Sequence, residues 1–332
     1  MKRVLVIVVA YNGMHYLERC LSSVTAAPGT NKADSALGVD VFVVDNDSTD
    51  GSADFVQARF PQVKLVRSAE NLGFTGGNNL GFRYALEKGY DFVYLLNQDA
   101  WLEEGALETL VAASLAHPEY AVLSPLQMTD GYKTFDTQFA KLYPVPAEGT
   151  DPQTASASLR PLPTRNASDD AAVGPSLLHG RGWPWVWKSA PSAGEPVTVK
   201  RIMAAHWLVP VKALQAIGQF SELFPYYGQD DDWCHRAKYH GYKIGVVPQA
   251  RAVHDRASRQ ESLERIIDRN YRVGSLVRLC DINRPLWERF LFVCVFTLVK
   301  AVRYRSFLPF KHFRCLCAQL PAVRSHRQRC RR

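Results

Sequence analysis

The chain has no framework of paired cysteines. Its seven, Cys20, Cys234, Cys280, Cys294, Cys315, Cys317 and Cys330, are odd in number, scattered and without a C-x-x-C pair. That spacing argues against a zinc ribbon or a disulfide scaffold and fits a reducing cytoplasm. Long apolar runs are also missing. The N-terminus, MKRVLVIVVAYN, has the charged start of a signal peptide, but its apolar run is at the lower length limit and no small-x-small cleavage site follows, so it reads as a buried strand. No Walker spacing or G-x-G-x-x-G occurs, and no nucleic-acid-reading motif. Acidic residues stop at Glu288, after which eleven Lys/Arg follow. Residues 1–288 hold 29 bases against 32 acids, so the net charge of +8 belongs to a basic tail on a near-neutral body. What remains, 332 residues at 47% hydrophobic and 22% charged, excludes disorder of the whole and suits one large α/β domain or two small ones.

Val4–Ala10 is a continuous β-branched run that stops at Tyr11-Asn12-Gly13, as a strand buried on both faces does at a turn. Leu17, Cys20, Leu21 and Val24 then recur at helical spacing, and Pro28-Gly29 leads to a second run, 39–44, ending in the polar stretch 45–51. In open parallel sheets ligands bind at the carboxyl ends of strands, so Tyr11, Asn12, Asp45 and Asp47 are expected on one rim. Asp50 reads instead as a cap ahead of Ala53, Val56 and Phe60. A short strand at 63–66 precedes the Gly/Asn loop 70–79, a weak phosphate motif, and a helix to Gly89. A fourth strand, 92–96, ends at Asn97-Gln98-Asp99 and adds a carboxylate to the rim. Helical spacing resumes at 107–115, and 206–211, 243–247 and 252–255 read as strands or strand ends, the last carrying His254.

From Pro144 to Pro196 nine of the nineteen prolines gather among Ser, Ala and Thr, with Trp183, Trp185 and Trp187 inside. This is an insertion or loop, its tryptophans either a stacking surface or pins to the core. Asn166-Ala167-Ser168 is a glycosylation sequon that a cytosolic protein would not use. The chemistry is expected in FSELFPYYGQDDDWCHRAKYHGY, 220–242, where Asp230, Asp231 and Asp232 follow an aromatic and glycine turn. Three adjacent carboxylates repel one another, which suits a base or the neighbour of a cation, although an acidic first turn of a helix gives the same pattern.

Taken in order, Ala10-Tyr11-Asn12, VVDNDSTDGS at 43–52, ENLGF at 70–74 with Asn78-Asn79, NQD at 97–99, the 224–241 stretch and His254 resemble the family 2 glycosyltransferases, nearest their rhamnosyltransferase-like branch. The likeness covers most of residues 3–258 outside the proline-rich segment. It implies a GT-A fold, with a mostly parallel nucleotide-sugar-binding sheet flanked by helices over residues 1–282, and transfer of a sugar with inversion. It further implies that Ala10, Tyr11, Asn12, Asp45, Asn71, Gly73, Asn78, Asn97 and Asp232 bind the substrate, with Asp45 reading the base. Asp99, in the family's D-x-D position, and His254 would hold magnesium or manganese, and Asp230, in its G-E-D-x-D block, would be the base. Two positions depart from the pattern. Gln98 stands where the branch often has proline, and Gln229 where glutamate usually precedes the base; the lost charge would lower the pKa of Asp230 unless Asp231 restores the field.

The expected partners are a dTDP-, UDP- or GDP-sugar donor and a glycan or lipid-linked acceptor. Rival readings are a nucleotide-sugar-binding protein with impaired catalysis and a sugar nucleotidyltransferase, the latter lacking the basic glycine-rich first loop it needs. The tail 283–332 reads as a basic, aromatic amphipathic extension. Its apolar run 290–299 would reach only about 15 Å as a helix, half of the roughly 30 Å of a bilayer core. It is therefore expected to dock on an anionic membrane surface at the cytoplasmic face without crossing, or else to pack on the domain as a helix with a disordered basic end.

Overall fold

The computed structural model describes residues 1–25, 37–129, 136, 139, 195–255, 263–305 and 307–331. The expectations for Pro28-Gly29, for nearly all of 144–196 with its three tryptophans, and for the Asn166 sequon lie outside them.

The β-branched first run forms β1 (Lys2–Ala10), followed by α1 (Met14–Thr25), β2 (Leu37–Asp45), α2 (Ser52–Arg59), β3 (Lys64–Arg67), α3 (Gly73–Lys88) and β4 (Phe92–Asn97). Strand β1 pairs in parallel with β2 and β4, and β2 with β3. Alternate side chains of β1 enter two different cores: Leu5 and Ile7 pack on one face with Phe42, Phe82 and Trp207, while Val4, Val6 and Val8 pack on the other with Leu17, Leu21 and Leu110. This two-faced burial explains why the run is apolar without alternation. Helix α3 approaches closely because it carries glycine where it meets β1: a Cβ on Gly81 would lie 2.6 Å from Ile7, and one on Gly77 2.7 Å from Val9.

The second half of the sheet holds β5 (Ala100–Leu102), β6 (Tyr120–Met128), β7 (Val197–Thr198), β8 (His206–Pro210) and β9 (Lys243–His254), with α4 (Ala106–Ala116), α5 (Val211–Ile217) and α6 (Gln229–Tyr239) around it. The strand order is β3-β2-β1-β4-β8-β6-β9-β5, with β7 on β9. Pairings here are antiparallel except β6 with β9, so the sheet is parallel through β3-β2-β1-β4 and again between β6 and β9. Strand β6, buried at every position, has no counterpart in the sequence reading. Its Pro125 argues against a central strand, but the ladder with β9 shifts register between Pro125 and Leu126, and such an irregularity accommodates a residue without an N–H. Strand β9 likewise runs through Pro248, joining two segments that read as separate.

Helix α7 (Leu263–Cys280) leads into α8 (Leu286–Tyr304), α9 (Leu308–Ala318) and α10 (Leu320–Arg329). Leu276, Val277, Leu279 and Cys280 of α7 form a third core with Phe224, Val293, Leu316 and Val323. The basic end is not disordered. Arg327 is buried and donates to the carbonyls of Leu279, Asp281 and Arg284, so the tail packs onto the body through α10.

Candidate active site

Register fixes the rim. In the parallel ladder Ala10 lies beside Asp45, and Val9 beside Asn97, so three strands end at one level. The crevice falls where the strand order turns, between β1 and β4, as expected for a ligand site in such a sheet. Asp45 is buried; Ser48 N–H donates to its Oδ2 at 3.3 Å, and its Oδ1 has no hydrogen-bond partner among the described residues. A buried acceptor left open in this way suits a donor brought by a ligand, such as the N–H of a nucleobase. Tyr11 is 47% exposed above it. Asn12 takes φ 47°, and its Oδ1 accepts Thr49 N–H at 2.8 Å, tying the end of β1 to the 45–51 stretch. Asp50 is structural at the start of two helices: its Oδ1 accepts Ser52 N–H and Oγ–H at the first residue of α2, as expected, and its Oδ2 accepts Met14 N–H at the start of α1.

Gln98 has a role that the sequence reading did not give it. Its amide accepts Tyr11 N–H at 2.8 Å and donates to Tyr11 O at 3.1 Å, imitating a strand partner and fastening the Tyr11 turn to the end of β4. Proline at this position would offer neither bond. Gln98→Ala is expected to weaken nucleoside diphosphate binding about fivefold to tenfold, two hydrogen bonds of modest net worth, with little change in melting temperature. Gln98→Glu, which can accept but not donate, should fall between. Calorimetric titration of the three proteins checks this, and equal affinities would remove Gln98 from the site.

The antiparallel pairing of β5 with β9 sets Ala100 opposite His254 and so brings Asp99 to the imidazole. Asp99 Oδ1 and His254 Nε2 are 3.5 Å apart, and both residues are buried. On the other side of the ring Asp136 Oδ2 lies 4.0 Å from Nδ1. Asp136 was not found from sequence, since only folding brings it there. Two atoms each about 2.1 Å from one ion lie no more than about 4.2 Å apart, so this separation and this oxygen and nitrogen set fit a shared divalent cation, with the Asp136 carboxylate beyond hydrogen-bond distance on the far side of the ring. His206 is close by but differently used: Tyr94 Oη lies at 2.9 Å from Nδ1 and Val253 O at 3.0 Å from Nε2, and burial lowers its pKa to about 3, so it stays neutral.

Several expected substrate residues make hydrogen bonds within the protein. Asn71 Oδ1 accepts from Asn46 Nδ2 at 2.8 Å and Gly73 N–H at 2.9 Å, and Leu72 N–H donates to Asn46. Asn78 is buried and donates to Phe74 O, and Asn79 bridges Phe220 N–H and O. The Gly/Asn loop therefore turns its early amides inward and is no phosphate cradle. It clasps the aromatic turn before α6: Thr75 N–H donates to Pro225 O at 3.0 Å and its hydroxyl to Phe224 O. Through Asn46, Asn71 and Thr75, the strand holding Asp45 is linked to the turn holding the acidic triplet.

Within that triplet the three carboxylates have separate fates. Gly228 takes φ 89° ahead of α6, and a Cβ there would lie 2.7 Å from Val273 and 2.8 Å from Val277, so α7 seats directly on the turn. Asp230 is half-buried, its Oδ1 accepting Asp231 N–H at 2.9 Å. Burial first and the charge of Asp231 second raise its pKa to about 7. Asp231 supplies a negative charge beside Asp230 where Gln229 carries none, and Arg201, 2.7 Å from both its oxygens, holds it in place. Asp232 leaves the site altogether. It is 1% exposed, with Arg236 Nε at 2.9 Å and His326 Nε2 at 2.8 Å, so its expected substrate role gives way to a joint between α6 and α10. Cys280 and Asp232 with His326 form a cluster of metal-ligating types there, but the carboxylate is already shared by two cations.

Comparison with known proteins gives likenesses of sequence and of fold. The family model for Glycosyl transferase family 2 matches residues 5–165. N-acetylglucosaminyl-diphospho-decaprenol L-rhamnosyltransferase of Mycobacterium tuberculosis is 26% identical over 264 residues, 76% of each chain. Among solved structures, S. aureus TarS superimposes with a TM-score of 0.53 at 17% identity over 87% of this chain, which spans 42% of the TarS chain. GalNAc-T7, solved with UDP, GalNAc and Mn2+, gives 0.51 at 13% identity over 83% of this chain and 48% of its own. These two likenesses are of fold. The match to the Glycosyl transferase family 2 model over residues 5–165, the rhamnosyltransferase relative and the shared fold together mark the chain as a glycosyltransferase of GT-A fold that is similar to that family.

Proposed function

We propose that the chain transfers a sugar, with inversion, from a nucleoside diphosphate donor to a hydroxyl of a glycan or lipid-linked acceptor in the cytoplasm. The observation that carries this reading is Asp230, a half-buried carboxylate raised to about 7, on a turn hydrogen-bonded back to the strand that ends in Asp45. A base of that strength accepts a hydroxyl proton near neutral pH without being fully protonated. Tyr11, Asn12 and the open Oδ1 of Asp45 would receive the nucleoside. Asp99 and His254 would hold magnesium or manganese, which when bound stabilises the charge developing on the leaving diphosphate. Retention of Asp99, Asp230 and His254, with Asp231 compensating for Gln229, favours an active enzyme over an impaired binding protein. The name of the mycobacterial relative makes dTDP-rhamnose the first donor to offer, ahead of UDP- and GDP-sugars.

The test is donor hydrolysis and transfer across those nucleotide sugars, with and without chelator. Transfer is expected to need added magnesium or manganese. Asp99→Ala should weaken metal-dependent donor binding by about tenfold or more, because the diphosphate would face the rim without a well-held cation, and His254→Ala should act in the same direction but less. Full activity of the wild type in excess chelator would reject the metal role of both residues.

A further inference from the structure

Helix α8 has two faces of different character. Val293 and Thr297 are buried against the neighbouring tail helices, whereas Trp287, Leu291, Val295, Leu298 and Val302 are 70, 57, 52, 54 and 79% exposed. At about 100° per residue these five fall on one side of the helix, and Phe307, at the start of α9, is also 86% exposed. Scattered exposed apolar residues are ordinary, but a continuous strip of this length on one helix marks a surface that is covered in use.

What covers it can be argued from charge. Arg303 and Arg305 at the end of α8 and Lys311 and Arg314 on α9 are exposed, and no acid follows Glu288. Where α8 begins, Arg284, Arg324, Arg327 and Arg331 line a cleft of about 590 Å³. A second copy of the chain on this face would bring two basic tails together with only Glu288, in the first turn of α8, to meet them. The occupant must offer apolar depth and negative charge side by side. We propose that α8 lies flat in the interfacial layer of a membrane containing anionic phospholipid, its apolar strip among the acyl chains and its bases at the headgroups. Crossing is not available to it, since no helix among the described residues is long and apolar enough. Helix α8 packs on α7, whose Val273 and Val277 abut Gly228, so a membrane-seated α8 sets the turn of Asp230 one helix away from the lipid surface.

The test uses the full chain and needs no catalysis, so it stands apart from the donor experiments. In flotation, the wild type is expected to rise with phosphatidylglycerol-containing vesicles, less so as salt increases, and to remain below with phosphatidylcholine alone. Leu291→Gln/Val295→Gln/Leu298→Gln, all at exposed positions, should partition about tenfold or more weakly with an unchanged circular dichroism spectrum. Arg303→Gln/Arg305→Gln/Lys311→Gln should bind more weakly and lose most of the salt dependence. Equal flotation of the triple apolar variant, or equal binding to neutral vesicles without a salt effect, overturns the proposal. So does a wild-type dimer in sedimentation velocity that the apolar variant dissociates, which would give the face to a second copy.

Discussion

Asp230→Asn is expected to lower sugar transfer by about 10²- to 10⁴-fold, the range a positioned general base contributes, while nucleoside diphosphate binding stays close to wild type. The amide keeps the shape of the carboxylate, and its oxygen can still accept Asp231 N–H, so the start of α6 has no reason to move. Only the basic oxygen is lost. The pH profile separates this role from a structural one. Because burial and Asp231 raise the pKa of Asp230 to about 7, the wild-type rate should fall as pH drops through that value and the base becomes protonated. The residual activity of Asp230→Asn should lack that acid limb. Asp231→Asn should be milder and move the limb to lower pH, since it removes the neighbouring negative charge and frees Arg201. Near-wild-type turnover by Asp230→Asn, or greater damage from Asp231→Asn, would move the base to another residue.

What could be read from the chain follows the range of the interactions. The apolar runs of β1, β2 and β4 and the polar residues that end them are local patterns, so Tyr11, Asn12, Asp45 and Asp99 could be set on one rim before any coordinates were known. Strand β6 was hidden because Pro125 breaks the local rule and only its partner β9 supplies the irregularity that tolerates it. Gln98, Asp136 and Arg201 carry no local signal. Each acts on a residue far away in sequence, at Tyr11, His254 and Asp231 respectively. The acidic triplet gave the opposite difficulty: three similar residues stood side by side, and nothing in the sequence told that Asp232 would point to a histidine 94 positions later. The tail shows the same limit. Its composition announced an amphipathic surface, but not that His326 and Arg327 would anchor its end in the body.

Asp232→Ala is expected to be the most destabilising single change in the α6 region, by about 3–5 kcal/mol, because it leaves the buried Arg236 and His326 side chains facing each other without their shared anion. For a chain of this size that is a fall in melting temperature on the order of 10 °C. The pH dependence gives an independent reading. Burial acts to lower the pKa of His326, but hydrogen bonds with Asp232 and Cys330 and the charge of Asp232 outweigh it and raise the value to about 9 from an ordinary 6.5. A group raised in the folded state stabilises fully below its unfolded value, so the contribution is present below pH 6.5 and is lost as pH rises through about 9. Two and a half pH units at about 1.4 kcal/mol each set an upper bound of about 3.5 kcal/mol on that loss. At the acid end, Asp232 resists desolvation through Arg236 and His326 and stays ionised below its ordinary value of 3.8, so the joint should hold until the pH falls below that. Denaturant unfolding of the wild type between pH 6.5 and 9 should therefore show a decline that His326→Phe lacks. If Asp232→Ala instead kept its melting temperature and lost donor affinity, the carboxylate would belong to the substrate site after all, and the tail would be held to the body by the apolar contacts of Val323 and Leu316 without this ion pair.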